Sequence, residues 1–265
     1  MEQDNPLIKV AVTGNTRLTL QGIKEIDKIA NHKVVYVFGI ESRKMKDKVN
    51  SVDMSGYCKT KKITLDKSND WDAFYNFCIS NGVNKIITLG DSRIIPKKIV
   101  QNFDVIGNHG AVLPDVQGGA SLVWGRLVNN GQWGISIMQI GERVDSGDIL
   151  KTKSFLYEQI SEESFTQICD NLTIEALVEV LNGDYQIQKN KKWTVRIAKH
   201  SDSYQATEVL KYCLENKIPI YMPPRLPQDG IINKNWDNDF IEVFKIANDK
   251  PYPRWIDPRI NDEEF

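Results

Sequence analysis

The stretch IKVAVTGNTRLTLQGIKEIDKIANHKVVYVF, residues 8–38, decides the class of fold. Residues 8–12 are a short β-rich run that ends in the turn Thr13-Gly14-Asn15-Thr16. Leu20, Ile23, Ile26 and Ile29 then recur at three-residue steps, the spacing of a helix with one apolar face. A second β-rich run, VVYVF, fills 34–38. Strand, helix and strand in this order make a βαβ unit, and such units build parallel sheets. The turn holds a single glycine. It is therefore no dinucleotide fingerprint, and a nicotinamide-dependent enzyme is a poor reading.

The pattern continues along the chain. A Lys-rich polar stretch at 43–50 reads as loop or exposed helix, and a third strand is predicted near 61–65. Ser68, Asn69 and Asp70 offer N-caps for a helix through Trp71, Phe74 and Phe77. Residues 85–89 read as a buried strand ending at Gly90, 96–101 as a short helix, and 104–106 as a strand running into Gly107-Asn108-His109-Gly110. Beyond these, 118–128 suits a helix and 133–140 a strand. Ser161, Glu162, Glu163 and Ser164 open a long amphipathic helix to Leu181, stopped by Asn182-Gly183. Strands alternating with helices predict an α/β fold: a Rossmann-like, mostly parallel sheet with helices on both faces. After residue 184 the character changes, and seven of the ten prolines fall at 219, 223, 224, 227, 251, 253 and 258. That density favours extended segments and turns. The expected organisation is a domain over 1–184 and a Pro-rich C-terminal extension over 185–265, with one helix near 237–248.

Composition narrows the functional classes. Lys and Arg number 34 against 35 Asp and Glu, a net charge of −1 that argues against a general polyanion binder. The opening MEQDNPLIKVAV lacks the basic start and apolar run of a secretory signal, and no window approaches the roughly 18 apolar residues a spanning helix needs. The expectation is a cytoplasmic protein that binds neither membrane nor nucleic acid. Cys58, Cys78, Cys169 and Cys213 are scattered without a C-x-x-C pair, which fits reduced, buried thiols better than a disulfide framework or a zinc site. His32, His109 and His200 are the only histidines, and His32 and His200 have no partner motif.

The chemistry concentrates in IGNHGAVLPDVQGGASLVWGRLVNNGQWGISIMQIGERVDSGDIL, residues 106–150. In an open α/β sheet, ligands collect outside the carboxyl ends of the strands. His109 sits where a strand ends, and Asp145 lies between Gly141-Glu142-Arg143 and Ser146-Gly147. An imidazole and a carboxylate on loops can carry acid–base chemistry. By itself the pair is unspecific, since a lone His beside a Gly is commonly structural.

These residues resemble the signature of the folate-dependent formyltransferases, a family that includes methionyl-tRNA, glycinamide ribonucleotide and nucleotide-sugar N-formyltransferases. The resemblance is carried by His109-Gly110-Ala111-Val112-Leu113-Pro114, Gly118, Trp124 and Asp145-Ser146-Gly147-Asp148-Ile149-Leu150, in that order. Upstream, Leu89-Gly90-Asp91-Ser92-Arg93-Ile94-Ile95-Pro96 resembles the family's folate-cradling loop. In the tail, Pro223-Pro224-Arg225-Leu226-Pro227-Gln228-Asp229-Gly230-Ile231-Ile232 and Pro251-Tyr252-Pro253 resemble runs of the nucleotide-sugar group, although the chain has little room for that group's accessory barrel.

The resemblance implies formyl transfer from 10-formyltetrahydrofolate, the co-substrate, to the amine of a nucleotide-linked amino sugar. It implies His109, Asp145 and Asn108 at the chemical centre. Leu89, Gly90, Asp91, Arg93, Ile94, Ile140, Gly141 and Arg143 would hold the reduced folate, and Gly110, Gln117, Gly118 and Trp124 the amine substrate. Neither a metal nor a covalent enzyme intermediate is required, and a homodimer is compatible with the resemblance. Other readings are formylation of a different amine, such as methionyl-tRNA, and a folate- or nucleotide-sugar-binding protein without turnover. The family carries Asn two residues before its His, where this chain has Gly107, and Gln117 replaces the usual Arg before Gly118. Either Asn108 substitutes for the missing amide, or water or substrate fills the gap, or transfer activity has been lost.

Overall fold

Strand β1, Ile8–Thr13, buries Val10, Ala11 and Val12 completely, as expected of an interior strand covered on both faces. The chain is described from a computed structural model covering residues 6–40, 50–128, 131–157, 162–190, 195–197, 202–248 and 255–258. Most of the Lys-rich stretch, Ser161, His200 and Pro251-Tyr252-Pro253 lie outside the described residues.

After β1, Thr16 caps helix α1, Arg17–Ile26, through a reciprocal capping box with Thr19, and Leu18, Ile23 and Ile26 turn inward. Strand β2, His32–Phe38, pairs parallel to β1 and completes the βαβ unit. The next elements are α2 (Ser55–Lys61), β3 (Thr64–Asp66), α3 (Trp71–Ser80), β4 (Lys85–Thr88), α4 (Lys97–Asn102) and β5 (Asp104–His109). Asp70 caps α3, its carboxylate accepting from the backbone of Asp72 and Ala73.

Strand β6 (Val116–Gly118), helix α5 (Ser121–Val128), strands β7 (Gly131–Gln139) and β8 (Ile149–Tyr157) and helix α6 (Glu162–Leu181) follow. The remainder forms β9 (Val195–Arg196), α7 (Ser203–Glu215), β10 (Ile220–Met222) and α8 (Asn238–Ala247). The seven-stranded sheet has the order β3-β2-β1-β4-β5-β7-β8, and the pairs among β1 to β5 are all parallel. A second sheet of three strands, β6-β10-β9, is also parallel.

Backbone contacts group the chain into two units. One is Met1–Asn108, Ile137–Lys151 and Thr173–Lys189; the other is His109–Ser136, Thr152–Leu172 and Asn190–Phe265. The first has a core of Ala11, Phe38, Phe74, Cys78, Ile86 and Ile99, with Phe38 stacked on Phe74 at 4.8 Å between centroids.

The mostly parallel α/β sheet is as predicted, and some elements are not. The helix expected over 118–128 starts only at Ser121, and 116–118 is strand instead. Gly118 and Ala120 have φ of +102° and +53°, outside the helical region, so the backbone cannot run helically through them. The tail holds α7 and two short strands in addition to the predicted helix, here α8.

Candidate active site

Within the first unit, the carboxyl ends of β4 and β5 bring together the expected folate loop and Asn108. Gly90 N–H donates to Asn108 Oδ1 at 3.2 Å, which leaves the Nδ2 amide as the group Asn108 can offer a ligand. Arg93 turns inward. Its Nε and Nη2 bind the Asp91 carboxylate, at 3.0 and 2.6 Å, and Nη1 and Nη2 donate to the carbonyls of Gly39 and Phe38, at 2.9 and 2.8 Å. Nη1 also reaches Asn69 Oδ1, so all five N–H groups have protein acceptors. The guanidinium lies over Phe38 and Trp71, at 4.5 and 5.1 Å from their centroids. Asp91 is equally internal, with a side chain 1% exposed. The side chain that the loop presents outward is Ile94, 74% exposed.

The loop bearing Asp145 is anchored at both ends. Ile140 N–H donates to Val105 O, Gln139 N–H to Asp148 O, and Ser146 Oγ to Arg143 O, each at 2.8 Å. Gly147 lies so close to Gln139 O that no Cβ fits, a physical reason for glycine in Asp-x-Gly. Glu142, held by Lys97 and Gln101, has its carboxyl drawn below the usual range by those hydrogen bonds. Asp145 itself has φ +48°, and Val144 beside it is largely exposed. Gly107 is buried, and a Cβ there would stand 2.5 Å from Ile140 Cδ1 and 2.7 Å from Thr88 Cγ2. Hydrocarbon fills the space beside the position where the family has its Asn.

Within the second unit, His109 is only 7% exposed, and its Nε2 lies 3.0 Å from Val116 O. A carbonyl can only accept, so Nε2 carries the proton in this bond. The loop 110–116 is fixed from β7: Trp133 Nε1 donates to Gly110 O (2.9 Å), while Ser136 Oγ donates to Ala111 O (2.9 Å) and accepts from Leu113 N–H (2.8 Å). Gln117 is 2% exposed and donates to Asn190 Oδ1 at 3.2 Å. Gly118 N-terminal to α5 pairs with Met222, and Trp124 Nε1 donates to Pro223 O at 3.1 Å. Gln117, Gly118 and Trp124 are thus built into contacts with the tail. Val116 and Ser136, which set the imidazole and its loop, were not singled out from sequence. A backbone carbonyl leaves no trace in residue identity, and a buried Ser looks like any other.

The mostly parallel seven-stranded sheet flanked by helices is an α/β fold. The family model described as formyl transferase matches residues 8–181, more than half of the chain, and the chain belongs to that family. Among curated relatives, the methionyl-tRNA formyltransferase of Desulfotalea psychrophila is 30% identical over 141 residues, 52% of this chain and 41% of the relative. The chain thus matches less than half the length of that relative. Among solved structures, a sugar N-formyltransferase from Shewanella sp. superposes with TM-score 0.62 at 13% identity, over 94% of this chain and 92% of that one. HypX from Aquifex aeolicus, in complex with tetrahydrofolic acid, gives 0.60 at 13% identity, over 91% of this chain and 34% of that one.

Proposed function

We propose that the chain transfers a formyl group from 10-formyltetrahydrofolate to the amine of a nucleotide-linked amino sugar. The observation that carries formyl transfer is the family match over 8–181, a range that takes in both His109 and the Asp-Ser-Gly-Asp loop. A neutral amine attacks the formyl carbon, and negative charge develops on the formyl oxygen. His109 stabilises that oxygen. Because Nε2–H is directed to Val116, the ring nitrogen left toward substrate is Nδ1, which donates to the oxyanion in the imidazolium form. Asp145 manages the proton that moves from the attacking amine to the departing folate nitrogen. Asn108 supplies its Nδ2 amide, since Gly107 has no side chain and its surroundings are apolar. The outward Ile94 and Val144 suit the flat, largely apolar face of a pterin, whereas Arg93 supports the loop from within.

The sugar assignment draws on the tail motif Pro223–Ile232, on the net charge of −1, and on likeness to a sugar N-formyltransferase over nearly its whole length. The second reading, methionyl-tRNA as the amine, is favoured by the curated relatives. A cytoplasmic location accords with four buried cysteines, none of them in a disulfide. Among the described residues, no helix is long and apolar enough to cross a membrane. The test is incubation with 10-formyltetrahydrofolate and a panel of nucleotide-linked amino sugars, followed by mass spectrometry. One sugar should gain a single formyl group. Formylation of initiator methionyl-tRNA alone would establish the second reading instead.

A further inference from the structure

We propose that Arg225 is a positioning residue for His109, acting through β10 and β6 to fix which ring nitrogen carries the proton. Every contact in this relay lies in the second unit. Val116, whose carbonyl receives the His109 Nε2–H at 3.0 Å, is the first residue of β6 and is 2% exposed. The partner strand of β6 is β10, in the register Val116 to Ile220, Gln117 to Tyr221 and Gly118 to Met222. Ile220 N–H donates to Asp115 O at 2.8 Å, and Gly119 N–H to Met222 O at 3.0 Å. Gly118, at φ +102°, brings its Cα so near Met222 O that a Cβ would collide with it. No side chain cushions the two strands, so a displacement of β10 passes directly to β6.

Three residues beyond β10 stands Arg225. Its guanidinium lies over Trp124 and Phe244, at 5.1 and 5.5 Å from their centroids. It donates to Ser203 Oγ at 3.1 Å, to Asn248 Oδ1 at 3.0 Å and to the carbonyl of Asp229. One side chain therefore ties the start of α7, the turn at Pro227–Gly230 and the residue after α8 to the α5 tryptophan. Trp124 in turn grips Pro223 O, between β10 and Arg225. Lys could not reproduce this arrangement, because a point charge with three donors neither stacks flat nor forks. The relay explains why a run of prolines carries a partly buried arginine: the run is a brace whose far end is the hydrogen bond on the imidazole.

The tautomer claim stands apart from the proposed reaction, whereas its effect on turnover rests on the role given to His109. The whole chain, labelled with nitrogen-15 at its three histidines, would be studied by long-range proton–nitrogen NMR at alkaline pH, where imidazoles are neutral. His32→Gln and His200→Gln assign the signals. His109 is expected as the Nε2–H tautomer in the parent chain and as a mixture of tautomers in Arg225→Lys. That variant should still melt cooperatively, with kcat lowered roughly tenfold and the folate KM unchanged. Trp124→Phe, which keeps the ring but drops its bond to Pro223, should shift the tautomer in the same direction and decides the matter where an Arg225 variant does not fold. A parent His109 in the Nδ1–H form, or an unaltered Nε2–H signal in both variants, overturns the inference. An Nε2–H parent that transfers no formyl group would sink the proposed reaction and leave the brace standing.

Discussion

Two partly buried arginines, one in each unit, solve the same problem by different means. Arg93 and Arg225 each lie over two aromatic rings and donate to backbone carbonyls. Arg93 also has a carboxylate in its grasp, that of Asp91, so the two charges cancel inside the fold. Arg225 is bound by a hydroxyl, an amide oxygen and a carbonyl, and burial pulls its guanidinium down to about 10. The first is an ion pair that shapes a loop, and the second a cation held through neutral acceptors that clamps separate elements. Charge neutralisation matters most where removing one partner strands the other.

The largest effect expected follows from that difference. Asp91→Ala leaves the Arg93 cation buried without its anion, and a loss of about 3–5 kcal/mol in unfolding free energy is expected. Arg225→Met removes a cation that, among the described residues, hydrogen-bonds no side-chain carboxylate, and it keeps an apolar stem between the two rings. Its cost should be smaller, about 1–3 kcal/mol, from acceptors left without donors. Denaturant titration of both variants makes the comparison. If Arg225→Met proves the costlier of the two, the contrast between pair and clamp fails.

Turnover provides the next break point. His109→Asn should lower kcat by roughly a hundredfold or more with the melting transition preserved, as removal of an oxyanion donor does. Asp145→Asn, which keeps shape and removes charge, should be similarly crippled. Asp91→Asn, by contrast, should raise the folate KM more than it lowers kcat, because it loosens a loop and not the reacting groups. Near-normal turnover in His109→Asn ends the mechanism proposed above.

Much of the first region was legible in the sequence, and little of the second. Ile8–Phe38 reads as βαβ because helix and strand periodicities alternate in a local stretch. The Asp-x-Gly loop was readable through its resemblance to the family signature, and the structure adds the reason for Gly147, a close backbone approach to Gln139. Strand β6 is only three residues long, and its partner β10 lies a hundred residues on, so no local pattern marks either. Helix α7 buries Ser203, Ala206, Thr207, Leu210 and Cys213, a face whose small and polar members hide the usual apolar stripe. Arg93 was legible as a motif residue, but its direction was not: it faces Gly39 and Phe38 only because the fold brings the end of β2 beside its loop.

Position 107 offers a moderate test in the first unit. Restoring the family's asparagine by Gly107→Asn should not raise activity, since the new Cβ meets Ile140 and Thr88 at 2.5 and 2.7 Å. Overpacking of this kind costs about 1–3 kcal/mol, to be read from a melting curve beside the kinetics. Asn108→Ala should impair kcat strongly without that thermal penalty. A faster Gly107→Asn enzyme would mean that Ile140 yields and that Asn108 is not the amide in use.

The smallest effect concerns salt. Arg93 and Arg225 both direct their donors into the fold, so neither is available to grip phosphates, and the chain carries a net charge of −1. A folded RNA held through many phosphates would show an apparent affinity that falls with salt at a log–log slope of about −0.7 to −0.9 per neutralised phosphate. A nucleotide sugar presents two phosphates, which backbone amides and one or two cations can hold, so the slope should stay shallower than about −2. The measurement is KM for the amine substrate across a salt series, with nuclease protection of initiator tRNA as the companion assay. No protection is expected. A slope worth several phosphates, together with protected tRNA, would transfer the assignment from sugar to tRNA. It would also require a basic surface other than these two arginines, while His109, Asp145 and the folate chemistry would keep the roles proposed for them.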